Sequence, residues 1–233
     1  MAKEAVILAG GFGTRLKTVV DEIPKPMAPI GSMPFLAYLL RQLQKHRIAK
    51  VVLATGYKHD IIESYFGSSY MNIELAHSVE KEALGTGGAI RKACGLVESD
   101  HCFILNGDTF FEADFERMEE KFLLTNSWLT VALKPMVNFD RYGAVITRGE
   151  KIISFNEKRF CKTGLINGGI YVVNKKWFME AADREVFSLE RDILEQLAGN
   201  DKITYCISDG YFIDIGIPED YLRASEELPR LFD

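Results

Sequence analysis

The segment Leu8-Ala9-Gly10-Gly11-Phe12-Gly13-Thr14-Arg15 places three glycines and an arginine directly after a short apolar run, and Lys25 follows ten residues after Arg15, between Pro24 and Pro26. Glycine lets a backbone turn sharply and offer its N–H groups to phosphate oxygens, while Arg15 and Lys25 bring mobile positive charge. A polyphosphate is the ligand such a loop suits. A Rossmann fingerprint would need a third glycine where Leu16 stands and an acidic residue where the chain has Thr55-Gly56. A Walker loop needs Gly-Lys-Ser/Thr, which this loop lacks. A plain turn accommodates the glycines but gives no reason for a lysine held between prolines.

Three further segments carry candidate chemistry. Glu82-Ala83-Leu84-Gly85-Thr86-Gly87-Gly88-Ala89-Ile90 reads as a Gly-rich helix start, where small residues let a flat base or ribose approach and the helix N-terminus favours anions; an ordinary helix entry fits it too. Cys102-Phe103-Ile104-Leu105-Asn106-Gly107-Asp108 and Phe212-Ile213-Asp214 are apolar strands that each end in a carboxylate, a position turn aspartates also favour. Phe155-Asn156-Glu157-Lys158, with Ile166-Asn167-Gly168-Gly169-Ile170-Tyr171, adds a Glu-Lys pair that by composition alone reads as solvated surface.

The elements that must position these groups alternate between strand and helix. Residues 4–9, 50–55, 73–77, 102–106, 128–134, 169–173 and 203–207 read as strands. Residues 34–46, 58–66, 85–97, 114–125, 175–182, 188–198 and 217–228 read as helices, with Pro34, Ser188 and Pro218 as start signals. Runs near 143–147 and 151–155 suggest a hairpin in the second half. This predicts an α/β protein: one Rossmann-like domain over residues 1–233 with a mixed, mostly parallel central sheet flanked by helices. In such a sheet ligands bind beyond the carboxyl ends of the strands, where the glycine loop, Asn106, Gly107 and Asp108 fall.

At 233 residues, 47% apolar and 26% charged, the chain can bury one large core. A net charge of −5 argues against a nucleic-acid or membrane footprint. Residues 1–50 nevertheless carry eight Lys and Arg against three Asp and Glu, which suits a small polyanionic ligand. The four cysteines lack a C-x-x-C pair and read as reduced core thiols; the four histidines are equally scattered and support neither a metal site nor a triad. The absence of a signal-like apolar segment predicts a cytoplasmic protein, and the end of the last predicted helix near residue 228 predicts no appended domain.

Together the blocks resemble the sugar nucleotidyltransferase (NDP-sugar pyrophosphorylase) family, through its G-x-G-T-R-L and P-K-P-M motifs, from Ala5 to about Tyr221. Thr18 and Val20 stand where that family commonly has Pro and Thr. Arg15-Leu16-Lys17-Thr18-Val19-Val20, Pro24 to Ile30 and Asn138-Phe139-Asp140-Arg141-Tyr142-Gly143 look most like its branch of guanylyltransferases acting on D-glycero-D-manno-heptose 1-phosphate. The resemblance implies Arg15, Lys25 and Asp108 as catalytic residues, with nucleotide contacts from Leu8, Ala9, Gly10, Gly11, Gly13, Thr14, Glu82, Gly85, Thr86, Asn106 and Gly107. It implies Mg²⁺ on Asp108, for which Asp214 at the end of its apolar strand supplies the second carboxylate that a stable site needs, and a sugar-phosphate site of Gly143, Glu157, Lys158, Asn167 and Gly169. Nucleotide binding would fall in about residues 1–110 and sugar binding in about 111–233. The expected partners are an NTP and a sugar 1-phosphate, and a homodimer is compatible with this reading. Because a carboxylate can accept from guanine N1–H and its 2-amino group, Glu82 favours GTP.

Overall fold

The computed structural model describes residues 2–11 and 23–232. The first half runs β1 (Glu4–Leu8), a 3-10 turn (Lys25–Met27), β2 (Pro29–Ile30), β3 (Met33–Pro34), α1 (Phe35–Lys45), β4 (Lys50–Thr55), α2 (His59–Phe66), β5 (Ser69–Tyr70), β6 (Ile73–Val79), α3 (Gly85–Cys94) and β7 (His101–Asn106). The second half runs β8 (Thr109–Phe111), α4 (Phe115–Leu124), β9 (Leu129–Phe139), β10 (Gly143–Arg148), β11 (Lys151–Lys158), β12 (Cys161–Asn174) and α5 (Lys175–Glu180). A π turn (Leu189–Leu194), α6 (Glu195–Leu197), β13 (Ile203–Ile207), β14 (Phe212–Asp214) and α7 (Pro218–Arg230) complete it.

Strands β7, β1, β4 and β6 lie side by side and parallel. Strands β7, β1 and β4 are near-continuous apolar runs because both their faces are covered, whereas β6 alternates buried Ile73 and Leu75 with exposed Glu74. Alternation sends Ile7, Leu53, Phe103 and Leu105 into the core under α1, and Val6, Val52, Ala54 and Ile104 into the core under α3. On α1 the residues Phe35, Leu36, Leu39, Leu40 and Leu43 are all buried, the stripe their spacing predicts. Pro34 ends β3 and stands just before this helix rather than in its first turn.

Beyond β7 the sheet becomes mixed. The 14-residue β12 pairs antiparallel with β9 along most of its length; its other edge takes β10 at Leu165 and Ile166 and β7 from Ile170 onward. One strand thus spans the parallel core and the β10–β11 arm. The switch of partner falls at Asn167–Gly169, where the ladder with β9 is interrupted and Gly169 takes φ +75°. A Cβ at Gly169 would meet the Asn106 side chain at 2.8 Å, so this bulge requires glycine on both counts. The sequence predicted only residues 169–173 of this strand as extended. Among the described residues, no helix is long and apolar enough to cross a membrane.

Candidate active site

The carboxyl ends of β1, β4, β6 and β7 share one edge of the sheet, and a cavity of about 360 Å³ opens there. Its wall includes Leu8, Gly10, Gly11, Lys25, Gly85, Thr86, Asn106, Gly107 and Asp108, all expected from sequence. The close approach of β7 to β1 depends on Gly107. Its N–H donates to Leu8 O at 3.0 Å, and a Cβ there would stand 2.2 Å from that oxygen. Ala9 is buried behind the wall, its N–H donating to Ala54 O at 2.7 Å. Gly13, Thr14 and Arg15 lie outside the described residues.

At the cavity's edge Lys25 Nζ lies 2.6 Å from Asp108 Oδ2 and 3.9 Å from Asp214 Oδ1. Two segments more than 100 residues apart meet here because β8 and β14 pair, with Asp214 opposite Thr109. The N–H of Gly216 donates to Asp214 Oδ1 at 2.7 Å, and a Cβ on Gly216 would crowd that oxygen at 2.8 Å. Burial, then the neighbouring Asp108 charge, push the Asp214 carboxyl above its ordinary range, opposed by Lys25, the Gly216 N–H and Arg141. Two like charges held together in a half-buried corner form a hard-oxygen donor pair that a divalent cation would relieve.

A second cavity of about 500 Å³ is lined by Gly143, Phe155, Asn156, Glu157, Lys158 and Asn167, together with Glu190, Leu194 and Glu195. Glu157 and Lys158 are exposed and form no ion pair among the described residues. Asn167 is oriented by two hydrogen bonds: its Nδ2 donates to Tyr171 Oη at 2.8 Å and its Oδ1 accepts from Gly169 N at 3.0 Å. Gly169 itself is buried and acts through the bulge rather than as wall.

Two differences from the sequence reading concern the Glu80–Gly88 segment. Glu82 is exposed and off the cavity wall, whereas Glu80, the first residue after β6, is on it. Glu80 Oε2 accepts from Leu84 N–H at 3.0 Å, which turns the carboxylate inward beside Gly10. The small residues of α3, of which Gly85, Thr86 and Ala89 line the cavity, also serve a second purpose on the helix's other side. The N–H groups of Gly87 and Gly88 donate to Phe187 O at 3.0 and 3.3 Å, and a Cβ on Gly88 would meet Glu185 O at 2.2 Å. Segment 185–187 therefore packs against the first turn of the helix and takes two of its N-terminal donors, those of Gly87 and Gly88.

Glu190, absent from the sequence reading, lines both cavities. Its Oε2 accepts from the hydroxyls of Thr86 and Ser188, each at 2.7 Å. Ser188 also caps the following turn, accepting from Arg191 N, but that turn is a π turn over 189–194 rather than the regular helix expected over 188–198. No sequence signal marks it, since capping serine and apolar spacing suit either helix.

Comparison with known proteins places these features among relatives. The Nucleotidyl transferase family model matches residues 4–230. The D-glycero-alpha-D-manno-heptose 1-phosphate guanylyltransferase of Aneurinibacillus thermoaerophilus is 50% identical over 225 residues, covering 97% of this chain and 98% of that protein. The enzyme of the same description from Campylobacter jejuni is 47% identical over 219 residues, covering 94% and 96%. The crystal structure of HddC from Yersinia pseudotuberculosis complexed with GMP-PN matches with a TM-score of 0.85 at 37% identity, covering 97% of this chain and 99% of that one.

Proposed function

The chain belongs to the nucleotidyl transferase family, and from that premise we propose that it transfers a guanylyl unit from GTP to D-glycero-α-D-manno-heptose 1-phosphate, giving the GDP-sugar and pyrophosphate. The observation that carries this reading is the convergence of Lys25, Asp108 and Asp214 beside two cavities that share Glu190 as a common wall. The sugar assignment is supported by the two relatives at 50% and 47% identity.

A phosphate oxygen of the sugar 1-phosphate attacks the α-phosphorus of the nucleotide, and the bond to the β-phosphate oxygen breaks as pyrophosphate leaves. The nucleophile is anionic at neutral pH, so no general base is needed. Catalysis then consists of bringing two polyanions within about 3.5 Å and neutralising their charge. Lys25 neutralises charge growing on the α-phosphate. Lys158 holds the incoming sugar phosphate, Glu157 and Asn167 take its hydroxyls, and Arg15 takes the β- and γ-phosphates. Asp108 and Asp214 supply hard oxygens for a divalent cation, Mg²⁺, which would neutralise the polyphosphate.

Base choice falls to Glu80. Its carboxylate spends one acceptor site on Leu84 N–H and retains capacity for guanine N1–H and the 2-amino group. The nucleotide cavity draws its wall from residues 8–108 and Glu190, which supports a division of labour near residue 110.

The test is pyrophosphate release across a matrix of GTP, ATP, UTP, CTP and dTTP against heptose, mannose and glucose 1-phosphates. Highest turnover with GTP and the heptose is expected. A strong pyrimidine preference would overturn the base assignment, and no release with any pair would overturn the transfer itself.

A further inference from the structure

Resting on the transfer just proposed, the structure carries a further reading of the sugar cavity. The π turn differs from an α-helix in one consequential bond: the Glu195 N–H donates to Glu190 O, five residues back. In an α-helix with 3.6 residues per turn, residues five apart point about 140° away from each other. Here the i→i+5 bond widens the turn and brings Glu195 round toward the face of Glu190, and both line the second cavity. The turn is fixed underneath by buried Leu189, Ile193 and Leu194, and at its start by Ser188 N–H donating to Asp192 Oδ2 at 2.7 Å.

The two carboxylates differ in position. Glu190 lines both cavities and is tied to Thr86 on the nucleotide side, whereas Glu195 lines only the sugar cavity. Glu195 is exposed and forms no ion pair among the described residues. A sugar 1-phosphate must turn its phosphate toward the nucleotide, and in the α-anomer the exocyclic carbons on C5 leave the ring from the face opposite the axial phosphate, which turns them away from Glu190's side of the cavity. A seven-carbon aldose carries one more CH(OH) group there than a hexose. We infer that Glu195, brought into line with Glu190 by the π turn, accepts hydrogen bonds from the exocyclic hydroxyls and discriminates a heptose 1-phosphate from a hexose 1-phosphate. A carboxylate that accepts the exocyclic hydroxyls adds charged hydrogen bonds for the sugar that carries them and none for the analogue that lacks them, which sets the preference.

The experiment compares kcat/KM for D-glycero-α-D-manno-heptose 1-phosphate and α-D-mannose 1-phosphate, with GTP, in the native chain, Glu195→Ala, Glu195→Gln and Gln196→Ala. The heptose-to-mannose ratio is expected to fall on the order of tenfold in Glu195→Ala, through KM rather than kcat. Glu195→Gln, which keeps one acceptor oxygen, should fall between, and Gln196→Ala should keep the native ratio. An unchanged ratio in Glu195→Ala, or equal losses on both sugars, overturns the inference while leaving the transfer reading intact. Failure of the native chain to release pyrophosphate with either sugar overturns both.

Discussion

The Lys25 ammonium donates to Asp108 Oδ2 at 2.6 Å, tying the segment after the glycine loop to the carboxyl end of β7. The same ammonium faces Asp214 at 3.9 Å, so one cation serves both carboxylates of this corner, with the Gly216 N–H and Arg141 adding to it at Asp214. With a triphosphate present, its charge is available to the α-phosphate instead. Lys25→Ala is expected to retain its fold and lose at least about a hundredfold in kcat, the cost of removing one electrostatic donor at a transition state. Near-normal steady-state rates would remove Lys25 from the mechanism.

Asp214→Asn and Asp108→Asn each delete one charged donor from the proposed cation site. Mn²⁺ titration followed by electron paramagnetic resonance, with nucleotide present, should show affinity weakened on the order of tenfold or more in either variant. Unchanged Mn²⁺ affinity in both would place the cation elsewhere.

Glu80 and Glu82 offer a paired comparison two residues apart. Glu80→Ala should lower kcat/KM for GTP by about tenfold or more, the scale of lost hydrogen bonds to a charged group, and Glu82→Ala should lower it far less. The reverse ranking would move base reading onto the exposed loop.

Glu4 links stability to pH away from the site. Burial raises the pKa of its carboxyl, but hydrogen bonds from Ser99 and from the backbone N–H of Glu98 and Ser99, with Lys50 nearby, outweigh this and hold it below its ordinary value. A depressed pKa contributes stability that is present above the unfolded-state value and lost as pH falls through the folded-state value. Glu4→Gln should therefore destabilise the protein by about 1 to 3 kcal/mol at neutral pH. The gap from the native chain should close as pH falls below the carboxylate range. Urea denaturation at neutral pH and in that acidic range measures it; a gap constant with pH would refute the linkage.

Gly107→Ala should force β1 and β7 apart at their carboxyl ends, since the added carbon meets Leu8 O. A loss of about 1 to 3 kcal/mol in stability, with weakened nucleotide binding, is expected from thermal unfolding and GTP titration. A fully native melting temperature would show that the strands yield there at no cost.

Legibility from sequence followed burial and locality. Strands β1, β4 and β7 were readable because strands buried on both faces are apolar runs, and β6 because Ile73 and Leu75 alternate with Glu74; Asp108 stood out as the carboxylate just after such a run and Asp214 as the one that ends another. The opening of β12 was not, since Cys161-Lys162-Thr163-Gly164 lies in the half-exposed arm, where burial imposes no pattern. Glu80 carried no sequence signal of its own, because its place on the cavity wall follows from where β6 ends, a boundary composition does not mark. The π turn depends on contacts such as Thr86 with Glu190, more than 100 residues apart, and local spacing carries no trace of them.

β12 runs unbroken from the arm into the centre of the sheet, so among the described residues the arm is joined to the parallel core by a continuous strand. Any tightening around bound substrates has to flex that strand itself, most readily at Asn167–Gly169 where its pairing lapses. The Gly169 N–H that holds Asn167 Oδ1 would then lie in the crease itself, so bending there and the set of the Asn167 side chain are one motion.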